Sequence, residues 1–208
     1  MTVEAKERVQ IDGEVFKELD EKALRESLVD LKRQNPEAIA ISLLNSFSNN
    51  VHENRIRDIL HEELPDIEIV TSTDVLPEIQ EYERTVTTTA NAVVKPVVKR
   101  YMKNLQSMLE ADTDTLRILK SDGDLTSVNI AGELPVNLLM SGPAGGVRGV
   151  SHLVANNTPY KNLITLDMGG TSTDCALLNK GETVIRRETH VGPLTVRAPS
   201  GTFTRYQY

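Results

Sequence analysis

Leu163-Ile164-Thr165-Leu166-Asp167-Met168-Gly169-Gly170-Thr171-Ser172-Thr173-Asp174 is the stretch on which the reading turns. Leu163 to Leu166 has the character of a strand, and it ends on a carboxylate. Two glycines follow, then three hydroxyl side chains and a second carboxylate, and Asp174 to Leu178 resumes as a strand. A tight structural hairpin is the plain interpretation of the paired glycines. The flanking aspartates and threonines point further, to a turn that cradles phosphate. Gly169 and Gly170 are expected at positive φ, with no Cβ between backbone and ligand and their N–H groups converging on an oxyanion. Thr171 and Thr173 add hydroxyl donors, and Ser172 completes the candidate phosphate-contacting set. Asp167, at the strand end, is placed to hold Mg²⁺, directly or through water, or to orient a water. Asp174 supports the turn or the metal shell. No Gly-Lys-Ser/Thr follows, so this is not a Walker A loop.

Working outward, Lys180-Gly181 turns the chain into a further strand at Thr183 to Arg186, an antiparallel hairpin. Upstream, Ser141-Gly142-Pro143-Ala144-Gly145-Gly146 opens a helix through Val154. Gly145 and Gly146 are candidates for contact with a nucleotide at that helix N-terminus. The alternative is a close-packed loop in which glycine lets helix and sheet approach.

The first half of the chain alternates. Leu24, Leu28 and Leu31 recur at helical spacing behind Asp20, a candidate N-cap. Ala38 to Leu44 is a short apolar run, read as a buried strand. A helix over Val51 to Glu63, with Asn50 as candidate N-cap, turns Ile56, Ile59 and Leu60 inward. Ile67 to Val70 is the next strand. This rhythm predicts a layered α/β fold with a largely parallel sheet. A long helical segment, Gln80 to Glu110, contains Pro96, which is expected to kink or split it. Leu116 to Leu119 is a strand closed by a turn at Ser121-Asp122-Gly123. Met1 to Asp12 predicts no element. The best boundary falls within 112–135, dividing the chain into 1–111 and 112–208.

Composition narrows the classes. The chain has 208 residues, a net charge of -7 and 39% hydrophobic residues. That suits a globular α/β protein. The acidic balance argues against nonspecific nucleic-acid binding but leaves ATP open, because a local nest of N–H groups binds phosphate on an acidic protein. One cysteine, Cys175, allows no disulfide within the chain and no multi-cysteine zinc site; it reads as a small buried strand residue. With no signal peptide and no membrane-length apolar run, a soluble cytoplasmic protein is the default expectation.

Several motifs together carry a resemblance. Leu139-Met140-Ser141-Gly142-Pro143-Ala144-Gly145-Gly146-Val147 and Asp167 to Asp174 resemble the hydantoinase A/oxoprolinase family. Ser46-Phe47 with Asn50-Val51-His52-Glu53 resembles its strand-to-helix junction. Glu78 to Arg84 and Thr87 to Ala92 resemble the signature before its long helix. The resemblance covers residues 12–199. It implies actin/Hsp70-like (ribonuclease H-like) ATPase lobes, here incomplete, with mixed sheets flanked by helices. It also implies ATP and Mg²⁺ as cofactors and ATP-driven opening of a cyclic amide such as a hydantoin or 5-oxoproline. Other members are subunits of ATP-dependent ketone carboxylases. Family members open with an earlier Asp-Gly-Gly-Thr turn, and Asp124 stands where they carry a second glycine. Residues 200–208 depart from the pattern. A fragment that relies on a complementary subunit or on self-association, and that exposes a large apolar face, is therefore expected.

Single residues outside these motifs carry less. His52 and Glu53 are adjacent on a helix and point different ways, so a polar pair at a helix start is preferred to a metal site. Glu78, Glu81, Glu83 and Arg84 are expected to form a solvated, internally paired face. His152 has no second ligand nearby, and Ser141 lacks a nucleophile-elbow context.

Overall fold

The computed structural model describes residues 1–109 and 116–207, in two units, Met1–Val97 and Val98–Tyr208. Glu110 of the expected long helix, the start of the expected boundary at 112 and the final residue of the 200–208 tail lie outside the described residues.

In the first unit, β1 (Arg8–Val9) and β2 (Val15–Lys17) pair antiparallel around Gly13 at φ 90°. β1 is too short for its periodicity to be seen in advance. α1 (Glu21–Gln34) starts as expected: the Asp20 side chain accepts from the Ala23 N–H at 2.9 Å. It ends where Asn35 enters the left-handed region at φ 45°. β3 (Ala38–Ile41) lies parallel to β4 (Glu68–Thr71), with Ala38 opposite Glu68 and Ile41 opposite Thr71. α2 (Val51–Glu63) lies between them in sequence, followed after β4 by the short α3 (Ser72–Val75). Asn50 makes no side-chain cap on α2; the Asn49 carboxamide oxygen accepts from the Val51 N–H at 3.1 Å instead. Leu24, Leu28 and Leu31 pack with Ile41, Ile56, Ile59, Leu60 and Ile69 as one core. α4 (Glu81–Leu109) begins in this unit and is one continuous helix through Pro96, not two.

The expected strand over residues 38–44 stops at Ile41, and the cause is a buried polar junction. The Leu43 N–H donates to Glu53 Oε1 at 2.9 Å, and the Leu43 carbonyl accepts from Arg84 Nη2 at 2.5 Å. Side chains have taken the groups a ladder would use. Glu53, fully buried, also accepts from Ser72 Oγ (2.7 Å) and from the Thr73 N–H and Oγ1 (3.1 Å each), which fastens α2 to the end of β4. Arg84 is equally buried, donates to the Glu78 carbonyl at 3.0 Å and lies 5.5 Å from the centre of the Phe47 ring. The expected solvated face at 78–84 is thus corrected: its arginine is a core residue whose two terminal nitrogens donate to backbone carbonyls. His52 is buried too, with Nδ1 2.6 Å from Glu7 Oε2. Among the described residues no group of three or more potential metal ligands forms.

The second unit opens on the C-terminal arm of α4. β5 (Arg117–Leu119) and β6 (Leu125–Ser127) form a hairpin turned at Gly123, φ 85°. α5 (Val128–Glu133) is capped by Ser127 Oγ, and a 3₁₀ turn (Pro135–Leu138) leads to α6 (Ser141–Val150). α6 passes into a π-helical turn, Ser151–Ala155. Next come β7 (Leu163–Met168), β8 (Ser172–Asn179), β9 (Glu182–Thr183), β10 (Ile185–Arg186), β11 (Thr189–Val191), β12 (Leu194–Val196), β13 (Ser200–Gly201) and β14 (Phe203–Gln207). The main sheet has the order β14-β8-β7 with β9 also on β8, and every pair in it is antiparallel. The expectation of a largely parallel sheet therefore holds only for β3 and β4. The β7–β8 and β8–β9 connections are too short for the crossover that parallel pairing needs. The strand expected at 183–186 is split, because β10 leaves the main sheet to pair with β13. No helix of the described residues is long and apolar enough to cross a membrane.

Two outcomes follow for the first unit. Glu53→Ala leaves the Leu43 N–H and the Thr73 N–H and hydroxyl without this acceptor and leaves Ser72 Oγ only Ser46 Oγ, and is expected to lower unfolding free energy by about 3 kcal/mol in urea denaturation. Hydrogen bonds from Arg55 hold the Glu21 carboxyl below its ordinary pKa, and those from Lys32 and then Arg25 do the same for Glu63. A depressed folded pKa means stability that is present above the unfolded value and lost as pH falls through the folded one. The small melting-temperature gap between the parent and a Glu21→Gln/Glu63→Gln variant should therefore be present at pH 7 and close below the usual carboxylate range.

Candidate functional site

β7 and β8 are adjacent strands joined by Gly169, Gly170 and Thr171, and the pairing sets what each side chain faces. Asp167 stands directly opposite Asp174, and Met168 opposite Thr173. Side chains alternate along a strand, so Leu163, Thr165 and Asp167 share a face with Leu178, Ala176 and Asp174. Val147 of α6 packs with Ala176 and Leu178 on that face, with Val150, Leu163 and Phe203 around them. The two carboxylates therefore come together at the turn end of the face that α6 covers.

The turn differs from the expected nest. The Gly169 N–H donates to the Ser172 carbonyl at 2.9 Å and closes the turn. Neither Gly169 nor Gly170 lies at positive φ; the glycines that do are Gly13, Gly123, Gly181 and Gly192. A hydrogen bond across the turn brings the strands together without a left-handed residue. One of the two expected glycine donors is thus spent on the protein. Gly170 and Thr171 at the tip are exposed, and a methyl group placed on Gly170 would meet nothing within 4 Å. The tip is open, not packed shut. Ser172 is half-buried, and Thr173 and Asp174 are buried.

α6 presents Pro143, Gly146, Val147 and Val150, the i, i+3, i+4, i+7 side of the helix, to a cavity of about 440 Å³ whose other walls include Asp167, Asp174 and Phe203. A methyl on Gly146 would sit 3.9 Å from Asp167 Oδ2, so the helix backbone approaches that carboxylate with no side chain between. Gly145 faces elsewhere: its methyl would meet Leu119 Cδ2 at 3.3 Å. The two neighbouring glycines thus divide the readings given to them, Gly146 at the carboxylates and Gly145 in helix-to-hairpin packing. Cys175 is half-buried and also lines the cavity.

Two carboxylates on one face are fewer oxygens than a full protein cage requires. They suit a divalent cation that keeps waters and takes phosphate oxygens, as Mg²⁺ does. The open amides at 170 and 171 suit a phosphate oxygen. Asp167 and Asp174 are thus the residues that could hold a cation beside a phosphate at this turn.

Sequence reasoning missed two features. Phe203 lies in the tail that departs from the family pattern, yet β14 pairs with β8 from Phe203 opposite Ala176 to Gln207 opposite Ser172, alongside the motif strand. The direct opposition of Asp167 and Asp174 is legible in principle from the loop length. The outer face of the same sheet carries Ile164, Leu166, Met168 and Leu177, each at least 65% exposed, which locates an exposed apolar face.

The sequence profile described as hydantoinase/oxoprolinase matches residues 84–203, and that of the hydantoinase/oxoprolinase N-terminal region matches residues 1–64. The chain belongs to the hydantoinase/oxoprolinase family. It is 35% identical over 178 residues to caprolactamase subunit alpha of Pseudomonas jessenii, covering 85% of this chain and 25% of that protein. It is 31% identical over 186 residues to the 5-oxoprolinase of Saccharomyces cerevisiae, covering 89% of this chain and 14% of the enzyme. The nucleotide-free structure of acetone carboxylase, from work on ATP-dependent acetone carboxylation, superposes with a TM-score of 0.88 at 29% identity, covering 98% of this chain and 29% of that one. This hydantoinase/oxoprolinase chain therefore spans less than a third of the length of each of these relatives.

The glycines separate fold from site. Gly145→Val forces a branched side chain toward Leu119 and is expected to cost about 1–3 kcal/mol of stability. Gly170→Ala enters open space and should leave the chemical denaturation midpoint within error of the parent, since its effect is reserved for ligand.

Proposed function

We propose that this chain carries the phosphate-contacting turn of an ATP-using enzyme that opens a cyclic amide of the hydantoin or 5-oxoproline type. The observation that carries the reading is the convergence of Asp167, Asp174 and the bare backbone of Gly146 on one cavity beside the open tip at Gly170–Thr171. The names of related proteins, an oxoprolinase and a caprolactamase subunit, support a cyclic-amide substrate. In this reading Gly170 and Thr171 donate N–H groups to a phosphate oxygen, with the Thr171 hydroxyl beside them. Gly169, Ser172 and Thr173 hold the turn's shape. Asp167 and Asp174 would hold Mg²⁺, and Gly146 keeps the approach to Asp167 clear; Gly145 seats α6. ATP, when bound, would supply the phosphoryl group that, placed on the amide oxygen, activates the ring carbonyl carbon toward attack by water. The chain's own contribution is positioning and charge neutralisation.

The fold assignment that goes with this is an actin/Hsp70-like pair of lobes. Residues 1–111 form the C-terminal part of the first and residues 112–208 the start of the second. Activity then depends on a complementary subunit, in keeping with relatives that are themselves named as subunits. A second reading, ATP-dependent carboxylation of a ketone, is favoured by the high structural similarity to acetone carboxylase.

Calorimetric titration with ATP and Mg²⁺ tests the site. Saturable binding is expected, weakened at least tenfold by Asp167→Ala and by Gly170→Val; heat that is absent at millimolar nucleotide, or indifferent to both substitutions, would sink the assignment. With a complementary subunit present, ATP turnover that requires bicarbonate would select the carboxylase reading, and turnover that requires a cyclic amide the hydrolase one.

A further inference from the structure

Ser121, at the turn of the β5–β6 hairpin, is wholly buried, and its N–H, carbonyl and hydroxyl are all engaged. The N–H donates to the Asn137 carbonyl at 2.8 Å, and the carbonyl accepts from the Gly201 N–H at 3.0 Å. These two bonds fix where Ser121 stands, between the 3₁₀ turn and β13. The hydroxyl oxygen accepts from the Met140 N–H at 2.9 Å. That third bond reaches the residue that opens α6.

α6 has no cap of its own. Met140 holds the N-cap position without a side-chain hydrogen bond, and amides at a helix start find no partner within the helix. Ser121 therefore ties this end of α6 to the hairpin by a directional bond. Farther along, the hairpin meets α6 sterically. A methyl on Gly145 would lie 3.3 Å from Leu119 Cδ2, and one on Gly123 would lie 3.0 Å from Arg148 Cδ. Gly145 and Arg148, three residues apart, lie on the back of the helix. Pro143, Gly146, Val147 and Val150 are its front, toward Asp167 and Asp174.

The setting of α6 along its axis decides what meets Asp167. Each residue of a helix advances about 1.5 Å and turns about 100°. Moved on by one residue, α6 would set the branched side chain of Val147 where even a methyl at Gly146 would lie 3.9 Å from Asp167 Oδ2. Steric contacts keep helix and hairpin apart but resist sliding weakly; a hydrogen bond at the helix start fixes the register.

We propose that Ser121 is a positioning residue for the site at Asp167 and Asp174: its hydroxyl, through the Met140 N–H, holds α6 where Gly146 clears Asp167. The assignment rests on the nucleotide reading above. Ser121 does not line the cavity and acts on it through α6.

A double-mutant cycle tests this on the full chain, with calorimetric titration of ATP and Mg²⁺ into the parent, Ser121→Ala, Asp167→Asn and the double variant. Ser121→Ala removes the acceptor and keeps both backbone bonds. Affinity is expected to fall at least about fivefold in the parent background, at unchanged stoichiometry, as for other supports of a cation site. In the Asp167→Asn background the same change should cost less than about twofold, because positions that act through one another are not additive. A merely structural role would lower the fraction of competent chains or weaken both backgrounds by one factor. Either of those results, or no effect in the parent background, overturns the assignment and leaves the nucleotide reading standing. A parent that binds no ATP with Mg²⁺ overturns that reading, and this assignment with it. If Ser121→Ala fails to reach the parent's circular dichroism, Ser121→Cys, a weak acceptor, replaces it under the same expectations.

Discussion

The register between β7 and β8 is the constraint on which the candidate site rests. The Gly169–Ser172 hydrogen bond closes the turn, and that closure places Asp167 across from Asp174. A slip of one residue would send one strand's side chains to the opposite face and separate the carboxylates. Hydrophobic burial guards against the slip. Leu163, Ala176 and Leu178 lie on the face that α6 packs, so any register that moves Asp167 also exposes this cluster. The chemistry and the core are thus held by the same pairing, and the glycine of α6 at position 146 completes the arrangement by leaving the carboxylate room.

The first unit solves a different problem. Its parallel strands are few, and the chain leaves β3 early. Two long charged side chains, Glu53 and Arg84, take over the hydrogen bonding of Leu43 and the residues after β4. Burying them is tolerable because each carboxylate oxygen and most of the guanidinium find partners. The arrangement fixes how α2 and the start of α4 meet the sheet, and it does so with groups that composition alone would assign to the surface.

Local signals in the sequence were reliable where one element dictated them. The Leu24, Leu28, Leu31 stripe and Asp20 located α1, and the motif glycines located the β7–β8 turn. What stayed hidden depends on distant partners. Arg84 reads as a surface charge until Leu43 and Glu78 are known to lie beside it. Asn50 reads as a cap until Asn49 proves better placed. Pro96 reads as a break, yet α4 carries on past it. The site shows the same division. Asp167 and the turn were visible, but the closeness of Gly146 to Asp167 is a tertiary fact, as is the strand made by residues 203–207. The positive φ expected at Gly169 and Gly170 followed from glycine's tolerance, and a tolerated conformation need not be the one adopted.

The bare outer face of β7 and β8 has a practical side. Ile164, Leu166, Met168 and Leu177 form a greasy, water-facing seam on a folded sheet. An environment-sensitive dye would glow on the native chain at room temperature. Dye-reported melting curves would then begin from a high baseline that mimics unfolding, and intrinsic circular dichroism is the safer gauge of whether this polypeptide is folded.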